Sequence, residues 1–274
     1  MSAVWVNGHV VDAADARISP FDHGLLTGDG VFETLRVVAG TPFAARRHLE
    51  RLGRSAAGLR LPCPAADVVR VAMDEVIAAN GLGDGRLRVT VTGGPSTLGS
   101  DRADVEPTVI VAAGPLPAWP PSTDVVVAPW PRNERSPLSG LKTVSYAENV
   151  LALAFARDRG AGEALFGNLA GNLCEGTGTN VFVGVGGRLV TPTLTAGCLP
   201  GVTRDLLVGL VDLVEEDLPL SALAAADEAF VTSSTRDIQP IRAVDGRLLP
   251  ACPGPLTRAA AAAFRALVAR DLDP

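Results

Sequence analysis

The stretch Cys174-Glu175-Gly176-Thr177-Gly178-Thr179-Asn180-Val181-Phe182 sets one carboxylate among small residues just before a strand-forming run. Residues of that size let backbone approach a flat ligand closely. A buried glutamate facing a pyridine nitrogen would hold that nitrogen protonated and strengthen the ring as an electron sink. The same residues also read as a turn that precedes a strand. Working outward, Asn180–Val185 and Arg188–Thr191 make a hairpin across Gly186-Gly187. Beyond it, Gly197-Cys198-Leu199-Pro200-Gly201-Val202-Thr203-Arg204 opens a helix expected over residues 201–216. Free N–H groups and the helix dipole there suit an anion, with the Thr203 hydroxyl as an added donor. Thr203 serves equally well as a capping residue.

A second signal is compositional. Of 24 basic side chains, only one is lysine, Lys142, and the rest are arginine. A genome that writes basic residues as arginine removes lysine wherever any cation will serve. A lysine that survives is then a candidate for amine chemistry, because guanidinium stays protonated and is a poor nucleophile. Lys142 lies in Ser139-Gly140-Leu141-Lys142-Thr143-Val144-Ser145-Tyr146, just ahead of a helix. A desolvated amine there has a lowered pKa and can form a Schiff base. The alternative is an ordinary surface lysine.

The remaining composition sets wider bounds. A chain of 274 residues, 47% hydrophobic and 20% charged, is globular, with room for one large domain or two modest ones. A net charge of -6 without basic runs argues against nucleic acid as a partner. No apolar stretch is long enough for a membrane span, and the start lacks the pattern of a signal peptide. Cys63, Cys174, Cys198 and Cys252 show no metal-ligand spacing. A cytoplasmic location without disulfides is expected.

Four prolines within Gly114-Pro115-Leu116-Pro117-Ala118-Trp119-Pro120-Pro121 mark a linker. It separates a small α+β domain, residues 1–113, from a larger α/β domain, residues 122–274. The first domain is expected to hold a hairpin around Asn7-Gly8 and a strand over residues 30–38. Helices over residues 44–57 and 65–79 and strands over 86–92 and 108–113 complete it. In the second, a strand over residues 124–128 is followed by a helix over 145–159. After the hairpin and the helix at 201 come strands over 229–232 and 239–243 and a closing helix over 256–269. No internal repeat is visible. Gly140-Leu141-Lys142-Thr143 fails as a phosphate loop, because glycine and lysine are not adjacent and Arg135 stands where a glycine is required. His9, His23 and His48 have no ligand spacing and read as structural.

The ordered set Glu175-x4-Asn180-Val181-Phe182, Leu189-x-Thr191 and Leu199-x-Gly201-Val202-x-Arg204 resembles the signature of the class-IV aminotransferases. These are the fold-type-IV, D-amino-acid aminotransferase-like enzymes of pyridoxal 5'-phosphate (PLP). Phe21-Asp22-His23-Gly24, Gly28-Asp29-Gly30-Val31-Phe32-Glu33-Thr34 and His48-Leu49-Glu50-Arg51-Leu52 are similar to the family's N-terminal segments, so the likeness runs along nearly the whole chain. The resemblance implies two α/β domains with PLP in the cleft between them, and a homodimer. It implies that Lys142 forms the Schiff base with PLP and shuttles the substrate α-proton, and that Glu175 pairs with the pyridine nitrogen. Arg51, Val202 and Thr203 would hold the phosphate, with Ser234 and Thr235 adding hydroxyls. Phe32, Glu33 and Tyr146 would lie on the substrate side. Tyr146 stands four residues beyond Lys142, one turn of the expected helix, so it can share the lysine's face or pack in the core.

The short chain and the Lys142-Thr143-Val144-Ser145-Tyr146-Ala147-Glu148-Asn149-Val150 stretch look most like 4-amino-4-deoxychorismate lyases, which release pyruvate and form 4-aminobenzoate for folate synthesis. The alternative is an amino-acid transaminase of the branched-chain or D-amino-acid type. Many relatives carry Arg-Gly where this chain has Gly93-Gly94, so the arginine for a substrate carboxylate must come from elsewhere, with Arg102 as one candidate. Glu33 is ambiguous between the two, since some lyases have a small hydroxyl residue there and transaminases commonly keep glutamate.

Overall fold

A computed structural model describes residues 2–274 and divides them into two compact units. The first comprises residues 2–117, Leu141–Tyr146 and Asp271–Pro274, and the second Ala118–Gly140 and Ala147–Arg270. The chain passes from the first unit to the second between Pro117 and Ala118, and the segment carrying Lys142 returns to the first.

In the first unit, β1 (Ala3–Val6) and β2 (His9–Asp12) form a hairpin, and a short α1 (His23–Thr27) follows. Then come β3 (Gly30–Val38), β4 (Thr41–Pro42), α2 (Ala45–Gly58), α3 (Ala66–Asn80), β5 (Gly85–Thr92) and β6 (Thr108–Gly114). Six antiparallel strands lie in the order β2-β1-β6-β5-β3-β4. Strand side chains alternate between faces, so Leu87, Val89 and Val91 of β5 enter the core while Arg86 and Arg88 do not. Leu52 and Ala56 of α2 and Val69, Met73 and Val76 of α3 complete that core. On β3 the inward row reads Val31, Glu33, Leu35, Val37, which puts one carboxylate among aliphatic neighbours. A buried charge in such a row must be paired.

The second unit begins with β7 (Thr123–Val127), α4 (Ala147–Arg157), β8 (Glu163–Gly167) and β9 (Leu173–Gly176). The hairpin β10 (Asn180–Val185) and β11 (Arg188–Thr191) leads to α5 (Val202–Val208) and β12 (Val214–Glu215). β13 (Glu228–Ser233), β14 (Asp237–Val244), β15 (Arg247–Leu248) and α6 (Pro255–Arg270) close it. Eight strands follow the order β12-β11-β10-β13-β14-β7-β8-β9, and β15 pairs with β14. The sheet is mixed, with parallel pairs at β11/β12, β14/β7 and β7/β8.

Two expected helices are shorter than anticipated. The one after Gly201 leaves helical geometry at Gly209, and Val214–Glu215 pairs in parallel with Val190 and Thr191 instead. Glycine is a poor helix former, and the edge of β11 offers the chain a better set of hydrogen bonds. The other begins at Ala147 rather than 145. Residues Lys142–Val144 are instead drawn along β3: Phe32 N–H donates to the Lys142 carbonyl at 3.0 Å, and Val144 N–H to that of Gly30 at 2.9 Å. No helix among the described residues is long and apolar enough to cross a membrane.

Candidate active site

Phe32, Glu33, Arg51, Lys142 and Tyr146 fall in the first unit, and Glu175, Val202, Thr203, Ser234 and Thr235 in the second. In the first unit the centre is the Phe32 ring. Lys142 Nζ lies 4.3 Å from its centroid, and Tyr146 meets it edge-on at 5.1 Å. Tyr146 does reach the lysine's surroundings, with Nζ 5.9 Å from its ring centre, but along extended chain and not by a helical turn. A second cation shares the Phe32 ring: the Arg88 guanidinium carbon sits 3.8 Å from the centroid. Alternation on β5 sends Arg88 to the face opposite the core. Arg102 is committed elsewhere. Its Nε and Nη2 grip Asp29 at 2.8 and 2.5 Å and its Nη1 donates to the Arg60 carbonyl at 2.6 Å, which removes it as a carboxylate partner for substrate.

Glu33 does not open onto the Phe32 side. It is fully buried on the inward row of β3, and α2 supplies its partners. Arg51 Nε lies 2.7 Å from Oε1 and Nη2 lies 2.7 Å from Oε2, while His48 Nδ1 is 2.7 Å from Oε2. Burial alone would push this carboxyl up, but the charges of Arg51 and then His48 outweigh it and hold it well below the usual range. Burial lowers the His48 pKa against the pull of Glu33. The acceptor-only carboxylate requires a proton on His48 Nδ1. One turn beyond Arg51, the buried Ser55 hydroxyl accepts the backbone N–H of Lys142 at 3.1 Å.

In the second unit, Glu175 lies on β9 opposite Phe166 of β8. Its Oε2 accepts the Leu199 N–H at 2.9 Å, and its Oε1 is 3.5 Å from Arg132 Nη2. Arg132 stacks over Phe166 at 4.2 Å. The loop after Glu175 is clamped by Glu163, fully buried on β8, which accepts the Thr177 N–H at 3.0 Å and pairs with Arg236 at 3.1 Å. Asn149 Nδ2 donates to the Thr177 carbonyl at 2.5 Å. Gly201 has to be glycine, because a Cβ there would stand 1.9 Å from Asn180 Oδ1. That contact explains why the asparagine and the glycine occur together in the motif. Gly201 caps α5 without a side chain, and Val202 and Thr203 form the buried first turn. Ser234 and Thr235 occupy the turn between β13 and β14. Burial, reinforced by the Glu175 charge, pushes the Cys174 thiol far up and that of Cys198 up to about 12, so neither is a nucleophile.

These donors fit PLP. The first unit offers an amine, and the second a carboxylate held by a cation and an N–H, and first-turn amides with nearby hydroxyls, which are the donor types that PLP's aldehyde, ring nitrogen and phosphate call for. Thr232 Oγ1 on β13, which packs against α5, is moreover buried with no partner among the described residues.

Comparison with known proteins agrees. The class IV amino-transferase family model matches residues 30–244, and the chain belongs to that family. It is 36% identical to a putative branched-chain-amino-acid aminotransferase of Methanocaldococcus jannaschii, over 90% of this chain and 89% of that protein. It is 32% identical to the aminodeoxychorismate lyase of Bacillus subtilis, over 88% and 86%. The solved branched-chain aminotransferase of Escherichia coli superposes with a TM-score of 0.90 at 31% identity, covering 97% of this chain and 94% of that one. The protein is a PLP-dependent enzyme of mixed α/β architecture, of the fold-type-IV class.

Proposed function

We propose that this enzyme is an amino-acid transaminase of the branched-chain type. The observation that carries the reading is the pairing of Lys142 and Arg88 on one aromatic ring, each within 4.3 Å of the Phe32 centre. An amino acid bears its carboxylate on the carbon that bears its nitrogen, so it needs an anion partner close to the reacting amine. Aminodeoxychorismate places its amine and its ring carboxylate across a six-membered ring. The similarity to branched-chain aminotransferases supports the same choice.

When bound, PLP supplies a conjugated ring that draws the electron pair released at the substrate α-carbon. Lys142 holds the cofactor through its amine and moves the proton at that carbon. Glu175, steadied by Arg132 and the Leu199 N–H, keeps a proton on the ring nitrogen. The Val202 and Thr203 amides and the Ser234 and Thr235 hydroxyls bind the phosphate. Arg51 Nε and Nη2 bind Glu33, which fixes the guanidinium that the family resemblance assigns to the phosphate. Arg88 takes the substrate carboxylate bidentately, and Phe32 and Tyr146 keep water from the amine.

The lyase is the second reading, favoured by the Lys142–Val150 stretch and the Bacillus relative. A paired assay on the yellow holoenzyme separates the two. Transamination requires branched-chain amino acids to convert the bound cofactor to its pyridoxamine form without pyruvate release. If aminodeoxychorismate instead yields 4-aminobenzoate and pyruvate with no amino acceptor present, the lyase replaces it. We further propose a cytoplasmic homodimer, as the family likeness implies.

A further inference from the structure

His48, Arg51 and Ser55 form a buried polar stripe along α2, spaced three and four residues apart so that they share one face. Glu33 answers the first two residues, and the third answers Lys142. The Lys142 backbone is held from two directions. Its carbonyl accepts the Phe32 N–H from β3 at 3.0 Å, and its own N–H donates to Ser55 Oγ at 3.1 Å. The neighbouring Thr143 bridges to Val31, and Leu141 packs so closely on α2 that a Cβ at Gly58 would stand 2.7 Å from its Cδ1. The β3 contact joins backbone to backbone and does not depend on side-chain identity. The Ser55 contact depends on one hydroxyl, and that serine is 1% exposed, so no water stands ready to replace it.

We propose that Ser55 is a positioning residue for Lys142: its hydroxyl fixes the lysine backbone against α2 and thereby sets the reach of the amine toward the cofactor aldehyde. The same helix carries Arg51 one turn earlier, so α2 fixes the spacing between the nucleophile and the arginine assigned to the phosphate. The inference rests on the reading that Lys142 holds PLP. There the amine adds to the aldehyde carbon, a C=N bond replaces C=O, and one water leaves.

The test compares two ligands of the apoenzyme. PLP can condense with the amine. Pyridoxine 5'-phosphate keeps the ring and the phosphate but carries an alcohol and cannot. Ser55→Ala should weaken PLP about tenfold, the scale of one buried donor left without its acceptor. Its affinity for pyridoxine 5'-phosphate should stay within about twofold of wild type. Ser55→Thr, which keeps the hydroxyl, should recover PLP binding. Equal weakening of both ligands would show a loosened pocket and overturn the proposal, as would no change in either or a Thr variant no better than Ala. Should the Ala variant not fold, Ser55→Cys, with only a weak sulfur acceptor, takes its place with the same expected split. A wild type that binds both ligands equally and never forms the C=N chromophore refutes the lysine reading itself. A wild type that captures PLP and is matched by Ser55→Ala refutes only the role of Ser55.

Discussion

Arg51 and Glu33 meet fork to fork in the interior, Nε on Oε1 and Nη2 on Oε2, both at 2.7 Å, with Glu33 at 0% exposure and Arg51 at 4%. Two parallel charge-assisted bonds fix the guanidinium plane as well as its position. Glu33→Gln keeps the volume and removes the charge, leaving a buried cation uncompensated. It should cost about 3–5 kcal/mol of stability in urea denaturation at neutral pH. A carboxyl held below its ordinary value of 4.5 contributes stability fully above that value and loses it as pH falls toward the depressed one. The gap between wild type and Glu33→Gln should therefore be constant near neutrality and close only in strong acid. A gap that is already closing at pH 6 would show that the carboxylate is not the origin of the stabilisation.

His23 titrates in the opposite sense. Its Nδ1 faces Asp29 Oδ2 and its Nε2 the Gly99 carbonyl, each at 2.9 Å, and both partners only accept. Only the charged ring donates to both. The Asp29 hydrogen bond, then the Gly99 carbonyl, raise the His23 pKa above 6.5 against its burial and the nearby Arg102. Stability from this pair is thus complete below 6.5 and is lost as pH rises through the elevated folded value. Amide protection in residues 96–104, taken relative to the intrinsic exchange rate at each pH, should fall over that upper window in wild type. In His23→Gln it should be low at every pH, and a wild-type protection that does not change with pH would show that charged His23 does not anchor the segment.

Much of this arrangement was legible in the sequence, for physical reasons that vary by element. β5 alternates and α2 repeats with the period of its geometry, which is why a strand over residues 86–92 and a helix over 44–57 can be read from the sequence. β8 and β9 cannot be read so, because Glu163–Gly167 is buried on every residue and a short continuous run carries no period. The placement of Lys142–Val144 beside β3 is a tertiary pairing with no local code, and it replaced the helical argument for Tyr146. The resemblance puts Glu33 on the substrate side and Arg51 at the cofactor; that they bind one another cannot be read from a separation of 18 residues. Arg88 lies outside the family's motifs. Its signal was present in Arg86-Leu87-Arg88, two cations on the outward positions of a strand whose inward row is aliphatic.

Arg88 is where substrate recognition can be measured. Arg88→Leu keeps an apolar contact for Phe32 and removes the paired donors, so KM for the amino acid should rise about ten- to a hundredfold while kcat changes little. Arg88→Lys should restore only part of this, since an ammonium cannot match both carboxylate oxygens. Unchanged KM in both variants, with kcat lowered, would assign Arg88 to packing on Phe32.

Lys142 offers a test that few enzymes allow, because it is the only side-chain amine in the chain. Reduction of the holoenzyme with borohydride should leave one pyridoxyl group, recovered on the peptide that contains Lys142. The other amine is the N-terminus, and label found there alone would end the assignment. Lys142→Ala should lose the visible absorption of the lysine-bound cofactor, and with it roughly 10²–10⁴-fold or more in kcat, the range of a positioned proton carrier. Lys142→Arg keeps a cation 4.3 Å or so from the Phe32 ring but no nucleophile at ordinary pH. It should retain the fold and the packing of Phe32 and Tyr146 yet fail to capture PLP, which separates the charge of the residue from its chemistry.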